Sequence, residues 1–134
     1  MSHLVLHHAR RWLGTPFLEG ASVRGTGCDC AGLIEGIARE LGLAYPIRHL
    51  VQHDILAAAC AFLVKVETPR AGHLVLLSRD PQGPPLHAGI MTDQDTLIHA
   101  HWRAGVVENR FGNWFAARVT HIFAWPDAVV TQDI

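Results

Sequence analysis

The apolar residues of this chain change their repeat once, near Pro69, and that change does most to limit the fold. Before it, they recur at helical spacing. Leu4, Val5, Leu6, Ala9 and Trp12 predict a helix over residues 2–13, with Arg10 and Arg11 on its other side and Gly14 and Pro16 as its stop. Leu33, Ile34, Ile37 and Leu41 predict a second helix from Cys30 to about Leu41, N-capped by Asp29 and ended by Gly42. HDILAAACAFL predicts a third over residues 51–63. Pro16, Gly20, Ser22, Gly25 and Gly27 interrupt residues 15–27, which read as a loop. After Pro69 the runs are short: HLVLLS, LHAGIM, TLIHAH, GVVE and VTHIFAW, separated by Gly, Pro, Asp and Asn. PQGPP at 81–85 reads as a stiff loop between two of them. Helices followed by about five antiparallel strands make an α+β domain.

A length of 134 residues fits one compact domain, 1–134, and a 49% hydrophobic content supplies its core. Lys plus Arg number 11 against 12 Asp plus Glu, so there is no electrostatic footprint for nucleic acid or for an anionic membrane. No apolar run approaches the ~18 residues of a membrane span. The opening MSHLVLHHARRW places its apolar patch before its basic residues, the reverse of a secretory signal. The expectation is cytoplasmic synthesis, with any export by another route.

Three cysteines do not make a disulfide framework. Cys60, inside AAACAFL, is expected to pack as a small hydrophobe. Cys30 is different. With Asp29 as N-cap it lies in the first helical turn, where backbone N–H groups and the helix dipole favour a thiolate. It shares a helix face with Ile34, Ile37 and Leu41, so its sulfur points toward the body of the domain. Cys28 precedes the cap and has no such fixed direction. Cys30 is the better nucleophile candidate.

A thiol nucleophile needs a base, commonly a histidine oriented by a third group. Ten histidines are present, and most read as surface residues. LHAGIM puts His87 on one strand face with Gly89 and Met91, where the glycine leaves space beside the imidazole. TLIHAH puts His99 and His101 on one face. A hairpin turn at Thr92–Gln94 sets His87 opposite His99; a turn at Asp93–Asp95 sets it opposite His101. Both alternatives stand at this point. A competing account is zinc held by Cys28, Cys30, His99 and His101, although neither CxC nor HxH has the spacing of a specific zinc motif.

The segments GTPF (14–17), GCDCAGLIEGIARELG (27–42), HAGI (87–90) and LIHA (97–100) together resemble the NlpC/P60 cysteine peptidases. The likeness is nearest to the branch found in phage tails and gene transfer agents, and it runs from the first helix to the WP near the end. It implies a papain-like α+β fold in which the cysteine-bearing helix packs on the histidine-bearing sheet. It implies Cys30 as nucleophile, His87 as general base and His99 as the polar third residue. Asp29 is similar to the family's aspartate, which commonly helps bind the free amine end of the substrate. Two departures stand out. The family usually has tyrosine where this chain has Phe17, which removes a hydroxyl donor, and Ala31 replaces the usual serine.

The substrate so implied is the peptidoglycan stem peptide, usually at the bond between γ-D-glutamate and a diamino acid. Neither metal nor cofactor is implied. Trp102, Trp114 and Phe115 are candidates for lining the groove, beside their plainer reading as packing residues at a sheet end. Delivery by a tail-like particle, or release by lysis, is the expected route to the wall, with HIFAWPDAVV as a docking surface on tail proteins. The alternatives are a weakly active or inactive structural tail component, and a Cys/His amidase or acyltransferase acting on another substrate.

Overall fold

The computed structural model describes residues 1–43 and 54–126. In chain order it runs α1 (Ser2–Arg11), β1 (Ser22–Val23), β2 (Gly27–Cys28), α2 (Cys30–Glu40), α3 (Ile55–Phe62), β3 (Val64–Val66), β4 (Leu74–Ser78), β5 (Pro85–Met91), β6 (Thr96–His101), β7 (Gly105–Arg110), α4 (Asn113–Ala116) and β8 (Val119–Ala124). The architecture is α+β, as the change of repeat predicts. All five expected strands are present in a six-stranded sheet of order β3-β8-β4-β5-β6-β7, each neighbouring pair antiparallel. The sixth strand, β3, is three residues long with two of them exposed, too short for an alternating pattern to show in sequence. Residues 15–27 hold a two-stranded ribbon, β1 with β2, where a loop was expected.

Two of the helices, α2 and α3, begin at an aspartate cap. Asp29 sits in extended conformation and its carboxylate accepts from the Gly32 N–H, and Asp54 caps α3 through the Ala57 N–H. The expected third helix is therefore shorter at its start, and residues 51–53 lie outside the described ones. Cys60 corrects its expectation: it lies on the exposed side of α3, while Ala58 and Ala59 take the buried positions.

The main core lies between the helices and one sheet face. Val5, Ala9 and Trp12 of the α1 region meet Leu33, Ile34 and Ile37 of α2 over Leu74, Leu76, Ala88, Ile90, Ile98 and Phe123. Two glycines of α2 set how closely its neighbours approach. A Cβ at Gly36 would meet the Trp12 ring at 2.1 Å, and one at Gly32 would meet the Ala21 carbonyl oxygen at 1.9 Å. The second of these pins the loop before β1 against the first turn of α2. On the opposite sheet face Val75, Leu77, Met91 and Leu97 form a smaller core, covered by Phe111, Phe115, Val119 and Ile122. The proposed docking stretch is corrected in its described part: Phe123 and Trp125 are buried in the main core. Residues 127–134 lie outside the described ones.

Candidate active site

One cleft collects Cys30 from α2, His87 from β5, and His99, His101 and Trp102 from β6 and its following turn. Phe17, Asp29, Asn109, Trp114 and Phe115 also line it. Glu19, Asp29 and Asp54 bring acidic groups to the wall and Arg79 a basic one.

Cys30 is the first residue of α2 and is half-buried, so its thiol stands at the positive end of the helix dipole with access to the cleft. Cys28 is fully buried in the main core. Its backbone is held on both sides, its N–H donating to the Pro16 carbonyl and its carbonyl accepting from the Leu18 N–H. The structure thus separates the two cysteines, and it corrects one expectation: Cys28, which had no fixed direction in sequence, is the one held in the core. It also dissolves the four-ligand zinc set, because Cys28 does not line the cleft.

Asp29 engages both carboxylate oxygens with backbone donors: Oδ1 accepts from Gly32 N–H at 2.7 Å and Oδ2 from Gly20 N–H at 2.8 Å. It therefore caps the helix and ties the preceding loop to it. Phe17 pairs through its backbone with Cys28 and packs half-buried against the core, with its ring at the cleft. Trp102 and Trp114 are 66% and 59% exposed on the rim, so both belong to the groove and not to the core. Arg103 lies over the Trp102 ring at 4.6 Å and Arg118 over Trp114 at 4.0 Å.

The β5–β6 hairpin resolves the two histidine registers. Gly89 pairs with His99, Ile90 with Ile98 and Met91 with Leu97. The turn residues are 93–95, closed by Thr92 N–H donating to the Thr96 carbonyl, with Asp95 at φ 56°. Continued outward, that register sets His101 opposite His87. Yet the imidazole contact is made by His99: His87 Nε2 and His99 Nδ1 lie 2.8 Å apart, ring centroids 5.1 Å apart and nearly perpendicular. The bond is diagonal, a reach open to long side chains on a sheet face. The space over Gly89 is filled by Leu97, whose Cδ1 would lie 2.6 Å from a Cβ there, where open space beside the imidazole was expected. His101 serves the backbone instead. Its Nδ1 accepts from the Arg103 and Ala104 N–H groups, each at 3.1 Å, and so shapes the β6–β7 turn.

Sequence reasoning missed Asn109. It lies on β7, and its Oδ1 is 2.6 Å from His99 Nε2. A polar residue two positions beyond Val107, the partner of His99, was the available signal. Burial and the neighbouring imidazoles push the His87 pKa down to about 4. His99 is lowered as well, by burial first, against the bond from Asn109 that raises it. Both shifts favour the uncharged rings, and a neutral His87 can take a proton.

The NlpC/P60 family model matches residues 14–123. A protein of Haemophilus influenzae described as a probable endopeptidase is 30% identical over 104 residues, which are 76% of this chain and 60% of that protein. Among solved structures, an NlpC/P60 family protein from Bacillus cereus superposes with a TM-score of 0.76 at 18% identity, over 93% of this chain and 40% of its own. The NlpC/p60 domain of the peptidoglycan hydrolase SagA gives 0.65 at 19% identity, over 92% of this chain and 98% of its own. The chain thus spans about three fifths of the curated relative and two fifths of the Bacillus protein. With the matched segment running from GTPF through both histidine strands into β8, the chain belongs to the NlpC/P60 family.

Proposed function

We propose that this chain is a cysteine peptidase acting on peptidoglycan stem peptides, with Cys30 as nucleophile, His87 as general base and His99 as the group that orients it. One observation carries the reading: the thiol at the head of α2 shares a cleft with a histidine pair bonded at 2.8 Å. His87 Nε2 is engaged by His99, which leaves Nδ1 for the Cys30 proton. The thiolate attacks the scissile carbonyl carbon, and the oxyanion that forms faces the start of α2, where the N–H groups before Gly32 lack intrahelical acceptors and the Gly32 N–H is held by Asp29. The C–N bond breaks as His87 returns its proton to the leaving amine. Water, deprotonated by His87, then attacks the thioester, releasing the carboxylate product and restoring the thiol.

The substrate class follows from family membership and from the relatives' descriptions as an endopeptidase and a peptidoglycan hydrolase. The finer reading is the γ-D-glutamyl–diamino acid bond, with Asp29, Phe17 and Trp102 contacting the peptide and residues 1–134 acting as one catalytic domain. Delivery by a phage-tail or gene-transfer particle belongs to the same proposal and is supported by the resemblance in sequence. Phe17 favours a second reading, a weakly active structural tail component, because it brings no hydroxyl to the cleft.

The test uses purified protein with diaminopimelate-type and lysine-type walls, with soluble fragments identified by mass spectrometry. Stem-peptide fragments that vanish in Cys30→Ala and His87→Ala and persist in Cys28→Ala support the peptidase and name the bond. A folded wild type that releases nothing from either wall moves the assignment to the structural reading.

A further inference from the structure

The contacts at the site do not end at the third residue. His87 on β5, His99 on β6 and Asn109 on β7 form one line of hydrogen bonds across three strands, 2.8 Å and then 2.6 Å long. Both links are diagonal. The residue opposite His99 on β7 is Val107, and Asn109 lies opposite Leu97 on the same sheet face. His99 is 4% exposed and also meets the edge of Phe115, ring centroids 5.5 Å apart. Water therefore has little access to its ring, and its two nitrogens depend on the two side chains they touch.

We propose that Asn109 is a positioning residue that sets the tautomers of both histidines, and through them the direction in which His87 accepts a proton. The inference rests on the peptidase reading for its consequence, though not for its geometry. A carboxamide oxygen only accepts, so His99 donates from Nε2 and carries its lone pair on Nδ1. That lone pair in turn requires His87 to donate from Nε2, which leaves Nδ1 of His87 unprotonated. When His87 takes the Cys30 proton there, its Nε2–H continues to donate to His99, and the imidazolium faces a lone pair. The opposite amide orientation reverses every step: Asn109 donates, His99 carries its proton on Nδ1, and His87 keeps its proton on the nitrogen meant to be the base. One carboxamide thus selects between a competent and an incompetent pair. His101, Asp29, Glu19, Asp54, Arg79 and Cys30 are the other titratable groups on the cleft wall, contributed by β6, α2 and the loops around them. Among the described residues, the hydrogen bond at His99 Nε2 is the one to Asn109.

The experiment labels the histidine rings of the full chain with 15N and reads their tautomers by NMR in wild type, Asn109→Leu and Asn109→Asp, alongside kinetics on peptidoglycan. Asn109 is exposed, so these variants are expected to fold. Wild type is expected to show both His87 and His99 protonated on Nε2. Asn109→Leu, which removes the acceptor, is expected to populate the second His99 tautomer and to lower kcat about tenfold with KM unchanged, the rate equivalent of one hydrogen bond. Asn109→Asp keeps the acceptor, so it is expected to keep the tautomers while moving the acid limb of kcat to higher pH, because a carboxylate favours the imidazolium. A wild type with His99 protonated on Nδ1 overturns the proposal, as does Asn109→Leu with unaltered tautomers and acid limb. Absence of cleavage by wild type on both walls overturns the peptidase reading instead, and the ring spectra still decide the role of Asn109.

Discussion

Gly32→Ala tests the link between a motif glycine and the geometry of the site. Helix propensity alone says that the change stabilises α2 by up to about 1 kcal/mol. The structure says the reverse. The new Cβ would sit 1.9 Å from the Ala21 carbonyl oxygen and 3.0 Å from its carbon, and 3.1 Å from Asp29 Oδ1. Restoring an ordinary carbon–oxygen contact moves the carbonyl by about 1.4 Å. It belongs to backbone, so no rotamer change relieves it. The displaced loop also supports Asp29 N–H donating to Ala21, Ser22 Oγ–H donating to the Gly32 carbonyl at 2.6 Å, and Gly20 N–H donating to Asp29. Overpacking of about 1–3 kcal/mol and one or two weakened hydrogen bonds, at about 1 kcal/mol each, outweigh the propensity gain. The net loss is about 2–3 kcal/mol, a fall in Tm of roughly 10 °C for a domain of this size. Because the same loop positions the first turn of α2, turnover is expected to fall further than stability does, by about 10²-fold if Cys30 moves by an ångström. Denaturant unfolding with fragment release measures both. Gly112→Ala is the control, since a Cβ there meets nothing within 4 Å. A Gly32→Ala variant that unfolds at or above the wild-type midpoint would refute the close approach as the reason for glycine.

Further outcomes follow from the site. With the His87 pKa pushed down to about 4, the acid limb of kcat/KM is expected well below the ordinary histidine value of about 6.5, and a limb at 6.5 or above contradicts the depressed pKa. The same shift has a sign for stability: the unfolded chain binds the extra proton, so stability is full above about 6.5 and declines as pH falls toward about 4, which acid unfolding midpoints measure. Phe17→Tyr places a hydroxyl at the cleft and is expected to raise kcat tenfold or more at unchanged Tm, given the ~3 kcal/mol typical of an oxyanion donor; an unchanged kcat removes that role. Cys28→Ser buries a hydroxyl in the main core and is expected to lower stability by about 1–3 kcal/mol, whereas Cys30→Ala is expected to abolish turnover with Tm nearly unaltered, so denaturant and activity curves separate the two cysteines.

What was legible in the sequence is what period and capping encode. Asp29 followed by an apolar face fixes where α2 starts, and the start fixes that Cys30 heads the helix. Alternation in LHAGIM and TLIHAH correctly puts His87, His99 and His101 on one sheet face. It cannot say which of them touch. A slip of one residue would turn the apolar set outward, and the pattern forbids it. A slip of two keeps every face unchanged, and the two candidate turns, 92–94 and 93–95, differ by such a slip. The structure adopts the turn at 93–95, with Asp95 taking the left-handed position, and the backbone register alone would then pair the wrong histidines. The His87–His99 bond forms across the register. Cys60 escaped for a related reason: an alanine-rich helix has so little contrast between its faces that the buried one cannot be read. Asn109 is harder still, because two successive diagonal steps separate it from His87, each needing a register that periodicity leaves undetermined. The face of the sheet is a local property of each strand. The order of protons across it depends on three strands at once, and a single asparagine at the far end is where that order is set.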